Sequence, residues 1–209
     1  MGVQTATISA LSDDADGYAQ SQSLAGAGSL TLNGALVSSG VGSSSAAQPV
    51  TITSAADDSG IDFTVTGTYG GLTVSETIDG ANAGAATTTQ VFDTVTEISA
   101  DGATTGNVTA GPVASNGAAS KILPSNWRSS DYKAALAIVL SSGATLTYKV
   151  QHTLDDVQSS AVSRTWLDHD SLTAQTANAD GNYAFPVKGY RLFITAYTSG
   201  SATLTGIEN

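Results

Sequence analysis

The sequence predicts an all-β protein built as two antiparallel β-sandwich domains, Ig-like or jelly-roll-like, behind an N-terminal extended arm. Three observations carry this prediction. Short alternations of Thr, Val, Ile, Tyr and Phe with polar residues recur along the chain, and Gly, Asn, Asp and Ser clusters separate them roughly every ten residues. The stretch "FTVTGTYGGLTVSETIDG" (63–80) alternates, breaks at Gly70-Gly71 and alternates again, which is the pattern of a hairpin with a tight turn. Only 12% of the 209 residues are charged, against roughly 25% in an average globular protein. Ser, Thr, Asn, Gln and Gly must therefore cover most of the surface.

Residues 1–28 are set apart by "SDDADGYAQSQSLAGAG" (12–28), which has neither the helical nor the strand period and few large apolar groups, so the segment reads as an arm or loop that must dock on something to become ordered. An acidic domain over 29–113 follows, with strands expected near 29–36, 49–55, 61–69, 72–79, 87–99 and 106–110. Between the first two, "SSGVGSSSAAQ" (38–48) reads as a flexible Ser/Gly/Ala loop. Asp57-Asp58-Ser59-Gly60 and Asp101-Gly102 supply turn chemistry: Gly takes positive φ at no steric cost, and Asp bonds nearby backbone.

Residues 114–130 combine Pro, Gly and Ser and are expected to be a linker. A second sandwich over 131–209 then opens with "DYKAALAIVLSS". Its Ile-Val pair, short length and Ser-Ser-Gly stop favour a strand over a helix. Further strands are expected at 144–154, 164–169, 182–187, 190–198 and 201–207, with Leu192 and Ile194 on one face and Phe193 and Thr195 on the other. Pro186 cannot donate to a ladder and should mark a strand end or an edge.

Charge is segregated. Residues 1–118 hold 11 acidic residues and no basic one, whereas all 7 basic residues (Lys121, Arg128, Lys133, Lys149, Arg164, Lys188, Arg191) lie beyond them among 7 acidic ones. The first part thus carries the whole net charge of −11. That argues against nucleic-acid contact there and for a solvated or cation-facing surface. The composition suits extracellular β-proteins and virion components better than a cytosolic enzyme. Without cysteine there are no disulfides, thiolate metal sites or cysteine nucleophiles.

"MGVQTATISALSDDADG" lacks a basic region followed by an apolar stretch, so no secretory signal is read, and Ala6 stands where a myristoylation pattern wants Ser or Thr. The longest apolar run, "AALAIVL" at 134–140, falls far short of the roughly 20 residues that span a bilayer. A soluble protein with no membrane contact is expected, located by assembly rather than export.

Candidate chemistry is sparse. His152 and His169 are the only side chains whose ordinary pKa suits neutral-pH acid/base work, and no GxSxG elbow accompanies them. "LDHDS" (167–171) sets His169 between Asp168 and Asp170, but a metal site there would need further ligands such as His152. Packing and loop roles are the simpler reading. "SDDADG" (12–17) fails the EF-hand pattern, with Ser12 and Ser23 at its first and twelfth positions, which leaves weak calcium binding as the only cofactor expectation. No glycine-rich stretch has the context of a phosphate loop.

Five residues stand out as candidate interface positions. Glu76 falls on the apolar face of its strand with Leu72, Val74 and Ile78 and has no basic residue in its own half to pair with. It reads either as an inward charge that guards an edge strand or as the receiver of a basic group from another chain. Trp127 and Arg128 in "NWRSSDYK" and Arg191 in "GYRLF" put aromatic and basic groups together, and Trp166 is the second tryptophan. They suit packing and ion pairing or a protein contact, and the two tryptophans could alternatively form a sugar-stacking platform.

The run "LTLNGALVSSGV" followed by "PVTITSAADDSGIDFTVTGTYGGLTVSETIDGANAGAATTTQVFDTVTEISADGATTGNVTAGP" resembles a segment of virion proteins of tailed bacteriophages. "YKVQHTLDD" with "RTWLDHDSLTAQTANADGNYAFPVKGYRLFITAYTSGSATLTG" is similar to the usual C-terminal companion of that segment, and together they span roughly residues 24–207. The resemblance implies a non-enzymatic structural component. Capsid decoration, as a cement or head-spike protein on the outer shell, is the first expectation. Its partners would be the major capsid protein and further copies of itself. A tail adaptor, tube or fibre component and a host-glycan-binding module are the alternatives. The resemblance carries no catalytic residues.

Overall fold

The computed structural model describes residues 2–114, 117–159 and 164–209. No helix occurs among them, and the strands pair antiparallel throughout. The chain divides into two compact units, Ser12–Asn116 and a second made of Met1–Leu11 with Gly117–Asn209.

The first strand, β1 (Gly2–Ser9), belongs to the second unit. All eight of its residues pair with a strand near the other end of the chain, from Gly2 opposite Glu208 to Ser9 opposite Ser201. This replaces part of the arm expected over 1–28. The physical cause is a short period-two pattern in small residues: Gln4, Ala6 and Ile8 share one face, and Ala6 and Ile8 are buried.

In the unit 12–116, the strands are β2 (Ala19–Gln22), β3 (Gly28–Ser29), β4 (Val37–Ser38), β5 (Val41–Gln48), β6 (Val50–Ser54), β7 (Asp62–Tyr69), β8 (Leu72–Asp79), β9 (Ala85–Thr87), β10 (Phe92–Ala100) and β11 (Val108–Pro112). One ladder runs β5-β10-β7-β8, with β4 beside β5 and β3 beside β10, and a second runs β2-β11-β6-β9. Val65, Val95 and Ile98 from the first ladder meet Ile52, Val108 and Ala110 from the second in one core with Tyr18, Phe63 and Phe92. Burial of such side chains contributes roughly 1.5–3 kcal/mol each.

The β7–β8 hairpin follows the sequence prediction, with β7 starting at Asp62, one residue later than expected. Gly70 and Gly71 both take positive φ, 55° and 79°, the backbone that a two-residue hairpin turn of matching twist requires. Segment 38–48, expected as a loop, instead supplies β5. Its small residues are a packing requirement, since a Cβ on Gly42 would stand 2.6 Å from the Tyr18 ring. The expected strand 87–99 is divided by residues 88–91, and of the strand expected over 29–36 only Ser29, the second residue of β3, is strand.

The second unit adds β12 (Ala118–Ala119), β13 (Leu123–Pro124), β14 (Ala134–Leu140), β15 (Thr145–Thr153), β16 (Leu167–Asp168), β17 (Ala179–Tyr183), β18 (Gly189–Ser199) and β19 (Ser201–Glu208). One ladder runs β1-β19-β14-β17; in another, β15 lies between β16 and β18, and both β12 and β13 pair with β18. Ile8, Leu136, Ile138 and Leu204 are buried from the first, and Tyr148, Val150, Tyr190, Leu192 and Ile194 from the second.

As expected, "AALAIVL" is a strand, and Leu192 and Ile194 point opposite to Phe193 and Thr195. Pro186 lies in the connection between β17 and β18. The expected linker 114–130 contains β12 and β13, while its residues 115–116 lie outside those described.

Candidate functional site

Glu76 sits on β8, opposite Val65 of β7, on the half-buried face it shares with Leu72, Val74 and Ile78. The Thr89 amide donates to both carboxylate oxygens at 3.0 and 2.9 Å, the Gln90 amide to Oε2 at 2.7 Å, and the Thr89 hydroxyl to Oε1 at 2.9 Å. Two successive amides aimed at one point form an anion-binding concavity. The carboxylate fills it and fixes the 88–91 break between β9 and β10. Its partner is thus backbone of its own unit, a solution that the absence of local lysine or arginine did not reveal.

Trp127 and Arg128 occupy the middle of a turn closed by the Ser129 amide donating to the Asn126 carbonyl at 3.0 Å. The turn is anchored on both sides. The Asn126 amide donates to Glu208 Oε2 at 2.7 Å, and the Ser125 amide to the Lys188 carbonyl at 3.1 Å. Trp127 remains 37% exposed. The Arg128 guanidinium lies 4.4 Å and the Lys188 ammonium 5.2 Å from the centre of its ring, within cation–π range. Among the described residues, neither cation makes a salt bridge.

These three side chains line a cavity of about 230 Å³ together with Ser125, Asn126, Asp156 and Gln158. Sequence reasoning identified Trp127 and Arg128 but missed Lys188. It lies 61 positions beyond Trp127, in the β17–β18 connection, and nothing local links the two.

Trp166 and Arg191 come together in a different arrangement. Arg191 is buried, its guanidinium 4.0 Å from the Trp166 ring and 5.2 Å from Phe193, and its Nε and Nη2 both donate to Gln151 Oε1 at 3.0 and 2.8 Å. Gln151 in turn donates to Asp168 at 2.8 Å, and Lys149 pairs with Asp168 at 3.0 Å. Burial pushes the Asp168 carboxyl up, but the hydrogen bonds from Gln151 and Lys149 and the nearby cations bring it below the usual carboxylate range. With its polar groups occupied by one another, this row across β16, β15 and β18 is a structural network.

The histidines also serve packing. His169 Nδ1 accepts from the Ser171 amide at 3.2 Å, so its Nε2 carries the proton and donates to the Asn182 carbonyl at 3.0 Å. His152 stacks edge-on against Tyr183 and Phe185, at 5.0 and 5.6 Å. Burial, then the neighbouring His169, pushes its pKa below the ordinary histidine value.

Among the described residues, no group of three or more His, Asp or Glu side chains could hold a metal ion. In the 12–17 segment, Asp13 accepts from the Ala114 amide. Among the same residues no helix is long and apolar enough to cross a membrane. The chain matches no protein-family model, no curated protein and no solved structure.

Proposed function

We propose that this chain is a non-enzymatic structural protein of a tailed-phage virion, a decoration protein that binds the outer capsid surface across neighbouring subunits. Each unit is read as an antiparallel β-sandwich, and adhesion comes from surface burial rather than from chemistry. The observation that carries the reading is the coincidence of two boundaries. The unit 12–116 holds all 11 acidic residues of the first half and no basic one, whereas the unit formed by 1–11 and 117–209 holds 7 of each sign. A chain whose compact units differ this sharply in charge offers two surfaces of different chemistry, which suits a protein that faces solvent with one and a partner with the other.

The resemblance to virion proteins supports the same reading, as does a carboxylate, Glu76, committed to holding a loop instead of reacting. Of the alternatives, a tail component predicts few copies per particle. The exposed Trp127 with its two cations favours a carbohydrate-binding role as the second reading. Particles assembled without this protein test the main proposal: reduced thermal and osmotic resistance, restored by adding the purified chain, is the expected result. Unchanged resistance would overturn the cement role.

A further inference from the structure

We propose that the cavity beside Trp127 is a binding site for an acidic saccharide, a sugar ring that bears a carboxylate. This deepens the carbohydrate reading of Trp127 and is independent of where the protein sits on a particle. In a chain of net charge −11, two of only 7 basic side chains converge on one exposed indole. Cation–π contact holds Arg128 and Lys188 in place before any ligand arrives, which lowers the ordering cost of binding. Neither makes a salt bridge among the described residues, so against the single Asp156 carboxylate the two cations leave the cavity lining with an excess of positive charge. An anionic group is the complement, and a guanidinium receives a carboxylate through two parallel hydrogen bonds.

The rest of the lining distinguishes a sugar acid from a bare anion. Asp156 also borders the cavity, one of its oxygens accepting from the Gln158 amide at 2.9 Å. That carboxylate repels any anion, but a sugar acid offsets the repulsion with vicinal hydroxyls that donate to it, which an acidic peptide side chain or an inorganic anion does not offer. The Asn126 and Gln158 side-chain amides add donors and acceptors of the kind that polyols engage, and the Ser125 hydroxyl, which donates to the Val187 carbonyl, adds an acceptor. A volume of about 230 Å³ accommodates a single pyranose ring, smaller than the roughly 300–1,000 Å³ pockets that hold drug-sized ligands. Affinity for one ring is therefore expected to be weak and to rise with repeated presentation on a polymer.

The test is titration of the isotope-labelled full chain, following the Trp127 indole N–H signal by NMR, with that signal assigned through Trp127→Phe. The probes are tetragalacturonate, N-acetylneuraminic acid, neutral maltotetraose, sodium acetate and a tetraglutamate peptide. At least one of the two acidic sugars should shift the signal saturably while maltotetraose, acetate and tetraglutamate do not. Arg128→Ala and Lys188→Ala should each weaken binding tenfold or more with the amide spectrum otherwise intact. Asp156→Ala should also weaken it. Equal response to the neutral sugar, equal response to acetate or the peptide, tighter binding by Asp156→Ala, or no response to either acidic sugar would overturn the proposal.

Discussion

The Glu76 carboxylate and the Thr89 backbone are bound to each other twice, the single Thr89 amide reaching Oε1 at 3.0 Å and Oε2 at 2.9 Å. With the Thr89 hydroxyl and the Gln90 amide, the carboxylate receives four contacts from two consecutive residues. A charge that looks out of place on an apolar strand face is the element that closes a break between β9 and β10.

Glu76→Val is therefore expected to destabilise the fold by about 2 kcal/mol, because hydrogen bonds to a charged acceptor are worth more than neutral ones and the 89–90 amides would lose theirs. Glu76→Gln should lose less. Urea unfolding of the three proteins measures both differences. Unaltered stability combined with new self-association of the valine variant would instead identify Glu76 as an edge guard.

Ile8 is completely buried within a strand that pairs along its full length with β19. Ile8→Ala should destabilise the protein by about 2–5 kcal/mol, the usual range for truncating a core isoleucine. An arm docked on a partner would give almost no change in the isolated chain. The same pairing changes what limited trypsin digestion should show: there is no lysine or arginine before Lys121. Fragments cut there should migrate together on native size exclusion and separate only in denaturant.

His152 makes stability depend on pH with a defined sign. Burial, then His169, lowers its folded-state pKa, while Asp170 and Asp168 oppose the shift only in part. The unfolded ring titrates near pH 6.5. Its contribution is fully present above that value and is lost as pH falls through 6.5 toward the folded pKa, because the unfolded chain binds the proton first. Chemical denaturation between about pH 7.5 and 5.5 should show stability declining with acidity, and His152→Phe should flatten the slope. An unchanged slope in the variant would exclude His152 as its source.

How much of this was legible in the sequence depended on side-chain size. The β7–β8 hairpin could be read because Phe63, Val65 and Tyr69 alternate with threonines and two glycines mark the turn. β5 and β1 could not, since "VGSSSAAQ" and "GVQTATIS" consist mostly of small residues whose strand state is decided by neighbours: Tyr18 over Gly42, and β19 beside β1. The break at 88–91 was hidden because "TTTQVFDTVTEIS" has uniform strand propensity, and the interruption is set by Glu76 from another strand.

At the site, Trp127 and Arg128 could be read because they are adjacent. Lys188, Asp156 and Gln158 join them only through tertiary structure. Arg191 and Trp166 lie 25 positions apart in the sequence and meet only in the fold, where burial of Arg191 and its bonds to Gln151 make the pair internal.

The proposed place on the capsid surface fixes the copy number per purified virion. Quantitative mass spectrometry against the major capsid protein should find hundreds of copies, in a fixed ratio to the shell subunits. About a dozen copies or fewer, the number that the cyclic symmetry of a tail permits, or none at all, would rule out a place on the capsid surface.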